Sequence, residues 1–181
     1  MELGAAEERV PSWLEEGGEL AVQALNPVAG LPLEERRAYS LVAAGPGAAI
    51  GALAGCAIGF ARISAALHPD DLEPFRRAAK DMDRSSVKAV ASRLEDLPVD
   101  RACHIALMGC GGRRPQAADC LPLVRRLRPE GQLVLFGIPQ EELQDTFEDF
   151  SQRGFSLRGS GIRDGLGFLA GSLDHGRRLE P

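Results

Sequence analysis

Gly45-Pro46-Gly47 is the segment best suited to chemistry. It lies between an apolar run, Tyr39–Ala44, and a run of small residues, Ala48–Ile58. Glycines in such a turn let the backbone approach a ligand closely. A helix starting just after it presents unpaired N–H groups and a positive dipole end. The arrangement suits a phosphate, with Ala44 and Ala48 as equally small neighbours. Further glycine turns follow later apolar runs, at Gly109-Cys110-Gly111-Gly112 and at Gly137-Ile138. His68 follows another short apolar run. It is read either as a contact for a ribose or 2′-phosphate or as an exposed turn residue.

Other reactive side chains give less. His68, His104 and His175 form no ligand set with any cysteine at metal spacing, so no zinc is expected. His104 reads as a satisfied sheet residue. Cys56, Cys103, Cys110 and Cys120 contain no C-x-x-C pair and read as reduced thiols of a cytoplasmic protein, mostly core fillers. Cys103 and Cys110, near a glycine loop, are the two that could react.

These residues must be positioned by the elements around them. The uncharged run Ala38–Ala61 has glycine at every fourth position: Gly47, Gly51, Gly55 and Gly59. One reading is a small-residue face on a membrane-spanning helix. The other is a buried strand, a ligand-facing turn and a helix packed tightly on a sheet. Pro46 interrupts the run, and the helix after it covers only about 20 Å at about 1.5 Å per residue. A bilayer core is about 30 Å thick, so the second reading is preferred and no membrane is expected. The net charge of -5 gives no electrostatic case for nucleic acid.

Downstream, Ala61–Ala66 reads as a second strand, and Asp70 or Asp71 caps a helix running to about Lys80. Val87, Val90, Ala91 and Leu94 have helical spacing. Between Lys80 and His104 no distinct third strand emerges, so the sheet is expected to be reduced there. Ala102–Met108 is a continuous apolar strand, residues 116–127 a helix kinked at Pro122, and Gln132–Phe136 the clearest strand. A helix over Leu143–Arg153, a strand over Phe155–Gly159 and a weak helix over 163–176 complete the chain. Alternating strands and helices predict an α/β fold with a doubly wound parallel (Rossmann) sheet. Its glycine turns would share the edge beyond the strands' carboxyl ends. Residues 1–35 hold eight Glu and one basic residue, Arg9, and read as an acidic helical segment preceding a dinucleotide-binding-like domain over 36–181.

Several of these stretches resemble the nucleotide-binding domain of zinc-type medium-chain alcohol dehydrogenases. They are Leu20–Leu25, Ala29-Gly30-Leu31-Pro32, Ala44-Gly45-Pro46, Leu127–Pro139 and Phe155–Ser160. The resemblance spans roughly residues 19–176. It implies an NAD(P)-binding half of an oxidoreductase that moves hydride between an alcohol and a carbonyl. Ala44, Gly45, Pro46, Gly47 and Ala48 would then face the pyrophosphate, His68 the ribose, and Gly109, Gly137 and Ile138 the nicotinamide. The chain departs from that pattern in three places. Ala43 stands where the first glycine is expected. Ala66, Leu67 and His68 stand where an acid should hold the adenine-side ribose. The cysteine- and histidine-rich catalytic zinc domain has no counterpart. An alternative is therefore a non-catalytic binding module with a decayed nucleotide site, its exposed sheet face covered by a second copy or a partner chain.

Overall fold

A computed structural model describes residues 17–82, 86–98, 102–174 and 179. Its centre is a seven-stranded sheet. The strands are β1 (Ser40–Ala44), β2 (Arg62–Ala66), β3 (Val87–Ala91), β4 (Cys103–Gly109), β5 (Leu127–Pro139), β6 (Phe155–Arg163) and β7 (Leu166–Leu173). Their order is β3-β2-β1-β4-β5-β7-β6. The pairs from β3 to β5 are parallel, and β7 runs antiparallel to both neighbours. The fold is thus α/β with a mostly parallel sheet.

The central strands are buried because helices cover both faces. On one face lie α1 (Glu19–Ala24), the four-residue turns α2 (Asn26–Ala29) and α3 (Leu33–Arg36), α4 (Ala48–Ile58) and α5 (Pro69–Asp81). On the other lie α6 (Ala117–Val124) and α7 (Leu143–Gln152). Helix α4 is apolar all round because it packs against the sheet below and against α1 and α5 beside it. Its glycines allow that approach. A methyl on Gly51 would stand 2.6 Å from a Leu107 methyl, and one on Gly55 2.8 Å from a Leu41 methyl. Gly59 closes the helix in the left-handed conformation, at φ 99°. Among the described residues no helix is long and apolar enough to cross a membrane.

Two segments differ from the sequence reading. Val87, Val90 and Ala91, which have helical spacing, lie instead in β3, and Ile63, Ala65 and Ala66 of β2 pair with them. Val87 and Val90 are β-branched and gain more from the ladder with β2 than from a helix. Nor is the weak helix found over 163–174, the described part of that stretch. Asp164 and Gly165 both have positive φ, 51° and 78°, and make the two-residue turn of the β6–β7 hairpin. Asp-Gly is a strong hairpin signal. His175 lies outside the described residues.

At the amino-terminal edge of the sheet, His104 sits in a fixed network. Its Nε2 accepts a hydrogen bond from Arg128 at 2.6 Å, and its Nδ1 lies 3.0 Å from Ser40 Oγ. Tyr39 packs against the ring at 4.9 Å between centroids. Burial, and then the Arg128 charge, hold the imidazole pKa below its ordinary 6.5. The unfolded chain therefore takes up a proton at higher pH than the folded one. The contribution is complete above about pH 6.5 and is lost as pH falls towards the folded pKa. Urea unfolding between pH 7.5 and 5 should show stability falling with pH, and His104→Gln should flatten that decline. An unchanged slope would refute the assignment.

Candidate functional site

The turns after β1 and β4 are joined backbone to backbone. A Cβ on Gly45 would run into the Gly109 carbonyl oxygen, and one on Gly109 into the Pro46 carbonyl oxygen. Gly45 and Gly47 also have φ of 85° and 79°, where side chains are strained. The third turn joins them: the Cys110 N–H donates to the Phe136 carbonyl and the Gly112 N–H to the Gly137 carbonyl, both at 2.8 Å. The three glycine turns do converge at the carboxyl ends of the strands. Their glycines serve this mutual packing first.

Beside them opens a cleft of about 630 Å³, within the range of small-molecule sites. Ala44, Gly45, Pro46 and Gly47 form one wall. Ala66, Leu67 and His68 at the end of β2, with Asp71 from the first turn of α5, form the next. Ser92, Leu94 and Glu95 follow β3. Met108 of β4 and Asp119, Pro122 and Leu123 of α6 close it. The floor is largely apolar, and the polar groups are one imidazole, one hydroxyl and three carboxylates.

The sequence-derived site residues divide accordingly. Ala44, Gly45, Pro46, Gly47 and His68 line the cleft. Ala48 does not, being 1 % exposed in the α4 core. Gly109 adjoins Met108 but packs under Pro46. Gly137 faces the Gly111 and Cys110 amides, and Ile138 is wholly buried. His68 caps α5, its Nδ1 accepting from the Asp70 N–H at 3.3 Å. The sequence reading missed Ser92, Leu94 and Glu95, because it found no third strand for them to follow. Asp71 lies slightly late for the ribose-binding acid and reads in the sequence as a helix cap. Pro122 reads in the sequence only as a helix kink, and Asp119 gives no signal there.

The cleft's electrostatics disfavour a pyrophosphate, since among the described residues neither Lys nor Arg lines it. Glu95 is held ionised: its own backbone N–H and then Arg93 keep its pKa below the ordinary 4.5. Arg93 lies 3.4 Å away. Among the described residues no cluster could hold a metal ion. Burial pushes the Cys103 and Cys110 thiols up to about 12, and raises Cys120 as well. They are protonated at neutral pH and unreactive. Native protein at pH 8 should leave Cys103, Cys110 and Cys120 unmodified by iodoacetamide for hours, whereas urea-unfolded protein reacts at once. Prompt labelling of folded protein at any of the three, read by mass spectrometry, would contradict their burial.

No family model matches the chain, and no curated protein matches it in sequence. Solved structures do. Ribosomal protein L11 methylase from Lactobacillus delbrueckii subsp. bulgaricus superposes with a TM-score of 0.63 at 16% identity, over 88% of this chain and 79% of that one. Precorrin-6y C5,15-methyltransferase from Geobacter metallireducens gives 0.62 at 16%, over 96% and 95%. The S-adenosylmethionine-dependent methyltransferase SibL gives 0.59 at 14%, over 90% and 56%. The likeness is one of fold, and it is to methyltransferases.

This corrects the dehydrogenase resemblance. A dinucleotide-binding sheet runs 3-2-1-4-5-6. Here β7 is inserted antiparallel between β5 and β6. The similar stretches, such as Leu127–Pro139, record what any strand entering such a sheet requires. The expectations of an NAD(P) oxidoreductase and of NAD or NADP as cofactor fall with the resemblance. The alternative of a non-catalytic module gains no support from these neighbours.

Proposed function

We propose that the chain is an S-adenosylmethionine-dependent methyltransferase that holds the donor in the cleft beside Gly45–Gly47. The observation that carries this reading is the position of the cleft. It lies beyond the carboxyl ends of β1, β2, β3 and β4, in a sheet ordered as β3-β2-β1-β4-β5-β7-β6. Open α/β sheets bind ligands at that edge, where strand order reverses.

The residues present suit an adenosyl group. Ala66, Leu94, Met108, Pro122 and Leu123 offer an apolar slot for the purine. His68, Asp71, Ser92 and Glu95 supply polar contacts for its amino group and the ribose hydroxyls. Gly45–Gly47 leave room for the amino-acid end. The donor brings an activated methyl group on a sulfonium. The protein's part is to bind and orient, and to keep that group from water until an acceptor nucleophile is aligned. Buried thiols without disulfides suit a reducing, cytoplasmic setting.

Isothermal titration with S-adenosylmethionine tests the reading, with NADH and NADPH as controls. Saturable binding at micromolar donor, together with a raised Tm, is expected. Absence of binding at millimolar donor would overturn it.

A further inference from the structure

We infer that the cleft selects its ligand by charge, preferring the adenosyl sulfonium cation to the neutral thioether left once the methyl group has gone. This rests on the donor reading above. Asp71, Glu95 and Asp119 line the cleft, and among the described residues no Lys or Arg does. Arg93 offsets part of the charge of Glu95 from outside the lining. Asp71 and Asp119 form no ion pair among the described residues, and both are exposed. His68 turns its Nδ1 acceptor to the Asp70 N–H.

S-adenosylmethionine and S-adenosylhomocysteine share the purine, ribose, ammonium and carboxylate. Contacts to those groups cancel in the comparison. The two differ by one methyl group and one positive charge, and the field in the cleft acts on that charge. Across a half-open cleft a carboxylate some 5–10 Å away favours a cation by a factor of about 3. Asp71 and Asp119 together give about tenfold. The consequence is a cleft that holds the donor and lets the spent product go.

Titration calorimetry with S-adenosylmethionine, S-adenosylhomocysteine and sinefungin, an amine-bearing cationic analogue, tests this. At low salt both cations should bind about tenfold tighter than the thioether. Salt at 0.5 M should narrow the gap to about twofold by screening. In the Asp71→Asn/Asp119→Asn double variant the ratio of cation to thioether affinity should fall to about one, because the contact Asp71 makes to the shared adenosyl group weakens all three ligands alike. Equal binding of all three at low salt overturns the charge inference and leaves the donor reading standing. So does a preference that survives both salt and the double variant. Failure of all three to bind overturns both.

Discussion

Gly109→Ala is expected to lower stability by about 3 kcal/mol and to abolish ligand binding in the cleft at the same time. The added methyl would run into the Pro46 carbonyl oxygen and stand 3.1 Å from the Ala48 nitrogen. Both atoms are backbone, so no side chain can rotate out of the way. Relief requires the first turn to move, and that turn is a wall of the cleft. At about 2–4 °C per kcal/mol for a chain of this size, Tm should fall by roughly 8 °C. Gly112→Ala is the control. Its methyl meets nothing within 4 Å, and only the φ of 75° resists it, at a cost of about 1–2 kcal/mol. It should leave the cleft intact. If Gly109→Ala matches wild type in thermal unfolding, the two turns are not joined as described.

Phe150→Ala is expected to cost about 4 kcal/mol and to change ligand affinity not at all. Phe150 lies on α7, fully buried, in a T-shaped contact with Phe155 at 6.1 Å. It packs in the cluster formed by α6, α7 and the far face of the sheet. Removing the ring forfeits its burial and leaves a cavity among rigid strands. No residue of α7 lines the cleft. Tm should fall by roughly 10 °C, while the dissociation constant for S-adenosylmethionine, measured well below that Tm, stays within threefold. A larger change would mean that α7 is coupled to the cleft through the apolar cluster it shares with α6.

The two substitutions divide the molecule as the sequence does. The stretch from Tyr39 to Ala66 was legible almost to the residue, because strand, turn and all-apolar helix each left a local mark. The edge of the sheet was not. Val87–Ala91 alternates weakly, and five residues carry both helical and strand periodicity. With that strand unread, Ser92, Leu94 and Glu95 had no reason to face a site. The end of the chain misled for another cause. Leu166–Leu173 is buried on both faces, so it shows no alternation, and its glycines imitate a poor helix. Asp164-Gly165 was the available signal. It would have revealed the hairpin, and with it the sheet order that separates this fold from a dinucleotide binder. Which apolar run pairs with which is a long-range matter, and local resemblance says little about it.

The insertion of β7 between β5 and β6 also has a consequence for biosynthesis. β6 leaves the ribosome first, yet it reaches the sheet only through β7, since β5 pairs with β7 and not with β6. Until Leu166–Leu173 has emerged, the long apolar β5 keeps an open edge that any extended chain can extend. The sheet therefore closes late, and β5 is the strand a nascent chain most needs shielded.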